Sequence, residues 1–202
     1  MILILSLGWN CEIKNELRSL QKDKNKYSEI LQTEHKFIQS LLSYPLDWLQ
    51  SPNPQKVMNL IKYKYNGIID KNKLKYTVTT NNYHIFYNEI YDLKFLHTFS
   101  KQNSSDISFN NWDDINYNNI YNNFQTRINR FFDNIYKAEK VYFLRLSSEK
   151  KNKELEKNII LSNLKEIFPN INYELIMFAS VAEIKPSLKK IIDKHQFNIN
   201  NL

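Results

Sequence analysis

The sequence of 202 residues contains only two glycines, five prolines and one cysteine. A single cysteine cannot form an internal disulfide, which is typical of proteins in reducing compartments. We therefore expect a cytoplasmic protein, or one in the host cytoplasm if the gene is viral. No apolar run reaches the roughly 20 residues that a membrane-spanning helix needs, so no membrane partner is expected. The apolar start of the chain lacks a basic leader and a cleavage site, and it predicts a first strand, not a signal peptide.

Arginine is scarce as well, since lysine supplies almost all of the 28 basic residues. Abundant Asn, Lys, Ile and Tyr with little Gly and Pro is typical of an AT-rich genome. This compositional bias explains the net charge of +7 without selection for phosphate binding. Basic residues are scattered among acids, so we do not expect a nucleic-acid partner. A basic, tyrosine-rich nucleic-acid binder, using segments such as residues 62–65, stays open as an alternative.

The apolar periodicity predicts an α/β fold. Strands are predicted at 2–5, 74–80, 83–87, 93–99, 141–146 and 173–179. Helices are predicted at 12–21, 54–67, 115–135, 155–167 and 184–194. Helical turns are expected at 30–42, a loop at 22–28, and a loop or a short helical turn at 43–52. We expect a three-layer domain with a mostly parallel central sheet, helices on both faces and an inserted antiparallel hairpin. Residues 1–195 would form this single domain, and residues 196–202 a polar tail.

A sharp turn joins the first strand to the first helix, and it contains Gly8 and the only cysteine, Cys11. The amide groups and dipole at a helix N-terminus favour the thiolate form of a cysteine placed there. Ligands of open parallel sheets bind at the carboxyl ends of the strands, which is where Cys11 is expected. The alternative is that Cys11 is a small buried apolar residue.

A thiol nucleophile needs a base and usually a group that orients the base. Among the four histidines, His97 at the end of a predicted strand suits a base best, although it could be an ordinary loop histidine. Asp47 lies beside Trp48 in an apolar, proline-bounded loop, where a carboxylate needs a partner; capping a helix is the alternative. We find neither metal-ligand spacing nor a glycine-rich phosphate loop, so no metal and no cofactor are expected.

Several short motifs resemble the family of putative papain-like cysteine peptidases of unknown function. That family carries Ser-Leu-Gly-x-x-Cys, a Leu-Arg pair, Pro-Phe-Asp-Trp-Leu, His-Asp-Phe, an arginine pair on a helix and Phe-x-Arg. This chain answers with Ser6-Leu7-Gly8-Trp9-Asn10-Cys11, Leu17-Arg18, Pro45-Leu46-Asp47-Trp48-Leu49, His97-Thr98-Phe99, Arg127 with Arg130, and Phe143-Leu144-Arg145. Leu46 replaces the family's Phe, and Thr98 replaces the acid after the histidine. The same turn is more loosely similar to the Gly-Asn-Cys start of capsule-polysaccharide acetyltransferases that bind coenzyme A.

The resemblance implies a Cys-His hydrolase, and we expect a thiol-dependent hydrolase or acyl transferase that acts on a small-molecule, glycan or peptide substrate. Cys11 would attack an acyl carbon, His97 would be the base, and Asp47 would orient it or shape the pocket. The predicted substrate site consists of Gly8, Asn10, Trp48 and the four arginines Arg18, Arg127, Arg130 and Arg145. Asn10 and the helix amides would stabilise an oxyanion, and the arginines would hold an anionic group. Two alternatives stay open: surface ion pairing for Arg127 and Arg130, and a non-catalytic module that binds a glycan or an anionic ligand.

Overall fold

Short buried strands and amphipathic helices alternate along the chain, and a computed structural model describes residues 1–9, 11–23, 26–33, 37–47, 49–78, 84–95, 117–147 and 149–196. The strands are β1 (Ile2–Ser6), β2 (Leu49–Gln50), β3 (Leu74–Val78), β4 (His84–Asn88), β5 (Leu93–Phe95), β6 (Lys140–Leu146) and β7 (Tyr173–Phe178). The helices are α1 (Glu12–Lys22), α2 (Lys26–Thr33), α3 (Ile38–Leu41), α4 (Pro54–Lys62), α5 (Tyr117–Lys137), α6 (Lys153–Ile167) and α7 (Ile184–Gln196).

Three of the apolar runs form a parallel sheet in the order β1-β6-β7. β1 pairs with β6 along its whole length, starting with Ile2 opposite Lys140. β6 in turn pairs with β7 in the same direction. Strands that are buried on both faces read as continuous apolar runs, and this is why the sequence predicted a parallel sheet here. The prediction is confirmed.

Helices cover both faces of this sheet, as predicted. Alternate residues of β1 point to opposite sides, so Leu3 and Leu5 join one core while Ile2 and Ile4 join the other. The first core includes residues of α4, α5 and α6, and the second includes residues of α1, α2 and α7. The domain therefore has the three layers expected of an α/β fold.

A second sheet is antiparallel, in the order β2-β5-β4-β3. The predicted hairpin forms its outer half, with Leu74 paired to Asn88; its connection at residues 79–83 lies outside the described residues. Leu49 and Gln50 were expected in a loop, but they form β2, because they pair with Phe95 and Lys94 of β5. The inserted antiparallel part is therefore a sheet of four strands rather than a hairpin alone.

Several predicted boundaries differ from the structure. The helix expected at 54–67 ends at Lys62, because Lys64 and Tyr65 just after it adopt left-handed backbone angles. The loop expected at residues 22–28 is shorter, since α2 begins at Lys26. α7 ends at Gln196, the first residue of the predicted tail, and residues 197–202 lie outside the described part. The extent of the domain, residues 1–195, stays a prediction. Among the described helices, none is both long enough and apolar enough to cross a membrane.

Candidate functional site

The chain leaves β1 through a tight turn that ends at the first residue of a helix. The amide of Leu7 still donates to the carbonyl of Leu144 at 2.8 Å, so β1 is held to β6 up to the turn itself. Gly8 and Trp9 then adopt left-handed backbone angles, with φ of +84° and +81°. Glycine tolerates this region, whereas a tryptophan there is an uncommon and strained residue. The strain indicates that contacts around the turn hold it in place.

Cys11 is the N-cap residue of α1, at the carboxyl end of the parallel sheet. Its side chain is partly exposed, and Asn15 donates from Nδ2 to its Sγ atom at 3.5 Å. The backbone amide of Asn15 also donates to the carbonyl of Cys11 at 2.9 Å, which closes the first helical turn. The side chain of Cys11 makes no capping hydrogen bond with the amides of α1, so the Asn15 side chain is the donor to sulfur that the structure describes.

Ser51, the residue after β2, binds the backbone of the turn. Its Oγ accepts the amide hydrogen of Trp9 at 2.8 Å, and its own amide donates to the Trp9 carbonyl at 3.3 Å. The hydroxyl lies so close to the turn that a Cβ atom added to Gly8 would stand 2.0 Å from it. Gly8 is therefore required at this position by its backbone angle and also by the approach of Ser51.

Arg145 of β6 lies beneath the turn with no solvent exposure. Its guanidinium donates to the carbonyls of Leu7 at 2.8 Å and Ser51 at 2.9 Å, and it pairs with Glu156 at 3.2 Å. The second oxygen of Glu156 accepts from the hydroxyl of Ser147 at 2.9 Å. Arg145 was predicted to contact an anionic substrate group. Its complete burial among these partners instead favours a positioning role, in which it holds the turn and the residues after β2.

Asp47 is also buried, and its partner is Lys14 of α1 at 3.3 Å. Lys14 donates in addition to the carbonyls of Ser40 and Leu42, and Asp47 accepts the amide hydrogen of Tyr44 at 2.8 Å. Burial lowers the pKa of Lys14 and raises the pKa of Asp47, and the charge of each opposes the shift of the other. The pair joins the helix that carries Cys11 to the loop before β2.

The other three predicted arginines are Arg18 on α1 and Arg127 and Arg130 on α5. Burial lowers the pKa of the Arg127 guanidinium, and the carboxylate of Asp47 opposes this shift. Arg130 and Arg18 lower that pKa further, so both cations lie within electrostatic range of Arg127. Arg130 also donates to the carbonyl of Ser43 at 3.1 Å. We call Arg18, Arg127 and Arg130 the arginine group.

Surface ion pairing was the alternative for the two arginines of α5. Among the carboxylates that the structure describes, none lies within 4.0 Å of a guanidinium nitrogen of Arg127 or Arg130. Their charges therefore have carbonyl and cationic neighbours in the described part of the chain, rather than a surface acid.

Three predicted site residues, Asn10, Trp48 and His97, lie outside the described residues. The chain around them is partly defined. β5 ends at Phe95, two residues before His97, and Phe95 pairs with Leu49, two residues after Asp47. The chain segments that lead to His97 and away from Asp47 are thus neighbours in one sheet.

Other features of the described residues add no cofactor site. Within the described ranges, no group of three or more His, Cys, Asp or Glu side chains could hold a metal ion. A surface cavity of about 440 Å³ lies between residues 63–70 and the start of α5. None of the predicted site residues lines this cavity.

Sequence reasoning missed three polar residues that build the site, Lys14, Ser51 and Glu156. Lys14 falls on the apolar face of α1 with Ile13 and Leu17, and a charge in such a face is a signal of a buried partner. Glu156 similarly shares one face of α6 with the buried residues of that helix. Ser51 carries no such signal, because its partner Trp9 is 42 positions away.

The two glycines of the chain offer a matched test of the turn. Both have positive φ, and a left-handed L-residue costs about 1–2 kcal/mol. At Gly67 an added Cβ would meet the end of the flexible Lys73 side chain, which can move, whereas at Gly8 it would meet the buried Ser51 hydroxyl. Overpacking costs about 1–3 kcal/mol, so we expect Gly8→Ala to destabilise the fold by about 1 kcal/mol or more beyond Gly67→Ala. Urea denaturation of both variants measures this; equal midpoints would contradict the close approach.

Comparisons with known proteins give one match. Residues 2–180 match the sequence model of the family described as putative papain-like cysteine peptidase (DUF1796). No curated protein and no solved structure matches the chain. The matched range includes the turn with Cys11, the loop with Asp47, and the arginines of α5 and β6.

Proposed function

Since the chain belongs to the putative papain-like cysteine peptidase family, we propose that it is a thiol-dependent hydrolase or acyl transferase in which Cys11 is the nucleophile. The thiolate of Cys11 attacks an acyl carbon, so that a C–S bond forms and the bond to the leaving group breaks. Water or an acceptor hydroxyl or amine then takes the acyl group from sulfur, and the thiol is restored.

One observation carries this proposal: the only thiol of the chain stands partly exposed at the N-cap of α1, just past the end of a parallel strand. Buried structural cysteines are inert, whereas reactive ones are accessible and lie near groups that stabilise the thiolate. The start of α1 and the Asn15 amide are such groups. Amides at the beginning of α1, together with Asn10, would stabilise the oxyanion that forms during attack.

His97 is the proposed base, which takes the proton from Cys11 and returns it to the leaving group. What supports this is the pairing of Phe95 with Leu49, which brings the chain before His97 next to the chain after Asp47. For Asp47 we propose a pocket-shaping role, since its Oδ2 atom already binds Lys14 and the Tyr44 amide. Gly8 and Trp48 would complete the wall around the thiol.

The substrate is proposed to carry an anionic group near its acyl carbon. The arginine group supports this, because Arg18 lies seven residues after Cys11 on α1, close to two cations of α5. Arginine presents a planar set of donors that matches a carboxylate or a phosphate. Arg127 and Arg130 place two guanidinium groups of one helix within electrostatic range of each other, and an anionic substrate group would offset their repulsion; the buried Asp47 is paired with Lys14.

Two activated esters test this proposal, p-nitrophenyl acetate and the mono-p-nitrophenyl ester of succinic acid. Both acylate a thiol with release of nitrophenolate, and only the second has a carboxylate on its acyl group. We expect a burst of nitrophenolate from each, with a preference for the succinyl ester. A hydrogen bond to a charged group contributes about 1.5–3 kcal/mol, so Arg127→Met and Arg130→Met together should reduce this preference about tenfold.

Controls separate the parts of the proposal. Cys11→Ser should abolish both bursts, and Lys26→Met, which removes an exposed cation of α2, should leave the preference unchanged. A burst that survives Cys11→Ser overturns the nucleophile. Binding of succinate without any burst, measured by calorimetry, would favour the non-catalytic module that binds an anionic ligand.

A further inference from the structure

We propose that Ser51 is a positioning residue for Cys11, which acts by holding Trp9 in a left-handed backbone conformation. The inference rests on the proposed function only in taking Cys11 as the reactive thiol. Ser51 lies immediately after β2, on the far side of the turn from α1, and it is fully buried.

Ser51 makes two hydrogen bonds to one residue of the turn, Trp9. Its hydroxyl accepts from the Trp9 amide at 2.8 Å and its amide donates to the Trp9 carbonyl at 3.3 Å. Both polar groups of the Trp9 backbone are therefore bound to the same residue. A non-glycine residue persists in the left-handed region only when its surroundings determine it, and Ser51 provides that determination at φ +81°.

The conformation of Trp9 decides where the chain enters α1. Two residues later Cys11 becomes the N-cap, with its sulfur beside Asn15. If Trp9 relaxed to a negative φ, the chain direction would change before Cys11, and the thiol would leave the helix start. Ser51 itself cannot shift easily, because its carbonyl accepts from Arg145 at 2.9 Å.

A matched serine distinguishes positioning of the thiol from a general contribution to stability. Ser40 is also fully buried, and its hydroxyl accepts the amide hydrogen of Ile4 at 2.9 Å. Ser40→Ala and Ser51→Ala thus each remove a buried acceptor of a backbone amide at a similar distance, and Ser40→Ala also removes a donor to the carbonyl of Ile2 at 3.4 Å. Only Ser51 contacts the turn that carries Cys11.

The experiment measures the rate at which iodoacetamide alkylates the full-length protein at neutral pH. Because the chain has one cysteine, the rate reports on Cys11 alone. A helix N-terminus stabilises a negative charge by about 0.3–1 kcal/mol, so Ser51→Ala should slow alkylation about two- to fivefold, while Ser40→Ala should keep the wild-type rate. Amide hydrogen exchange should show loss of protection at Trp9 in the first variant and at Ile4 in the second.

Three results would overturn the proposal: an unchanged rate in Ser51→Ala, a faster rate, or an equal slowing in Ser40→Ala. The wild-type protein gives a test that does not depend on the folding of any variant. Its Trp9 amide should exchange about as slowly as that of Leu7, which is bonded within the parallel sheet; rapid exchange of Trp9 would contradict the hold by Ser51. If neither ester gives a burst, the proposed function is wrong, but the alkylation rates and the amide exchange still test the role of Ser51.

Discussion

Replacing Arg145 with methionine is expected to lower the free energy of unfolding by about 3–5 kcal/mol, because removing one member of a buried ion pair leaves the other charge uncompensated. Glu156 is 4% exposed and would lose its cation. The carbonyls of Leu7 and Ser51 would also lose a donor inside the protein. Methionine is similar in length, so the loss reflects hydrogen bonding and charge more than volume.

Urea denaturation measures this loss, and two variants serve as its references. Lys62→Met removes an ion pair with Glu166 that is short, at 2.6 Å, but exposed, and it should cost much less stability than Arg145→Met. The double variant Arg145→Met/Glu156→Leu removes both buried charges and should be more stable than Arg145→Met alone by about 1 kcal/mol or more. Equal losses for Arg145→Met and Lys62→Met would show that the buried pair does not support the turn.

Lys14→Met is the second substitution with a large expected effect, again about 3–5 kcal/mol at neutral pH. Its ammonium group binds Asp47 and two backbone carbonyls, and both side chains of the pair are buried. The variant keeps an ionised Asp47 in a site without a cation partner at hydrogen-bond distance. The exposed pair of Lys26 with Asp193 provides the control, since Lys26→Met should cost much less stability than Lys14→Met.

The loss in Lys14→Met should depend on pH in a direction that identifies Asp47. Burial raises the pKa of Asp47, and Lys14 opposes that rise in the wild-type protein. Without Lys14 the folded-state pKa lies higher still, so folding takes up a proton above the unfolded value of about 4. The stability of the variant is therefore largest at acidic pH and falls as pH rises through the raised pKa. A loss that stays constant between pH of about 4 and 7 would contradict this origin.

Most of the fold follows from periodicity in the sequence. β6 and β7 are continuous apolar runs separated by a helix, and this pattern predicts parallel strands whether or not the rest of the chain is known. β2 could not be predicted in this way, because two residues have no period. Its pairing with β5 depends on a contact between segments more than 40 positions apart.

The candidate site was predictable where a residue is defined by its neighbours in sequence. Gly8 and Cys11 stand in a turn between a strand and a helix, and the turn is visible in the pattern. Arg145 was predicted as a substrate ligand together with the three other arginines, and the sequence does not show whether an arginine in a strand faces a ligand or a buried acid such as Glu156. On α6, the apolar Leu155 is 63% exposed, while the neighbouring Glu156 is buried and pairs with Arg145. Hydrophobicity alone cannot reveal that Glu156 is buried in place of Leu155, because the cause is the charge of Arg145 on β6.

The arginine beneath the turn also sets an order of events during synthesis on the ribosome. Arg145 binds the carbonyl of Leu7 across 138 positions of the chain, and β6 is the one described strand that pairs with β1. The segment with Cys11 emerges first, but its neighbour strand and its guanidinium donor emerge far later. A nascent or prematurely terminated chain that lacks β6 therefore carries the cysteine without the framework that orients it. Maturation of the thiol is coupled to completion of the domain.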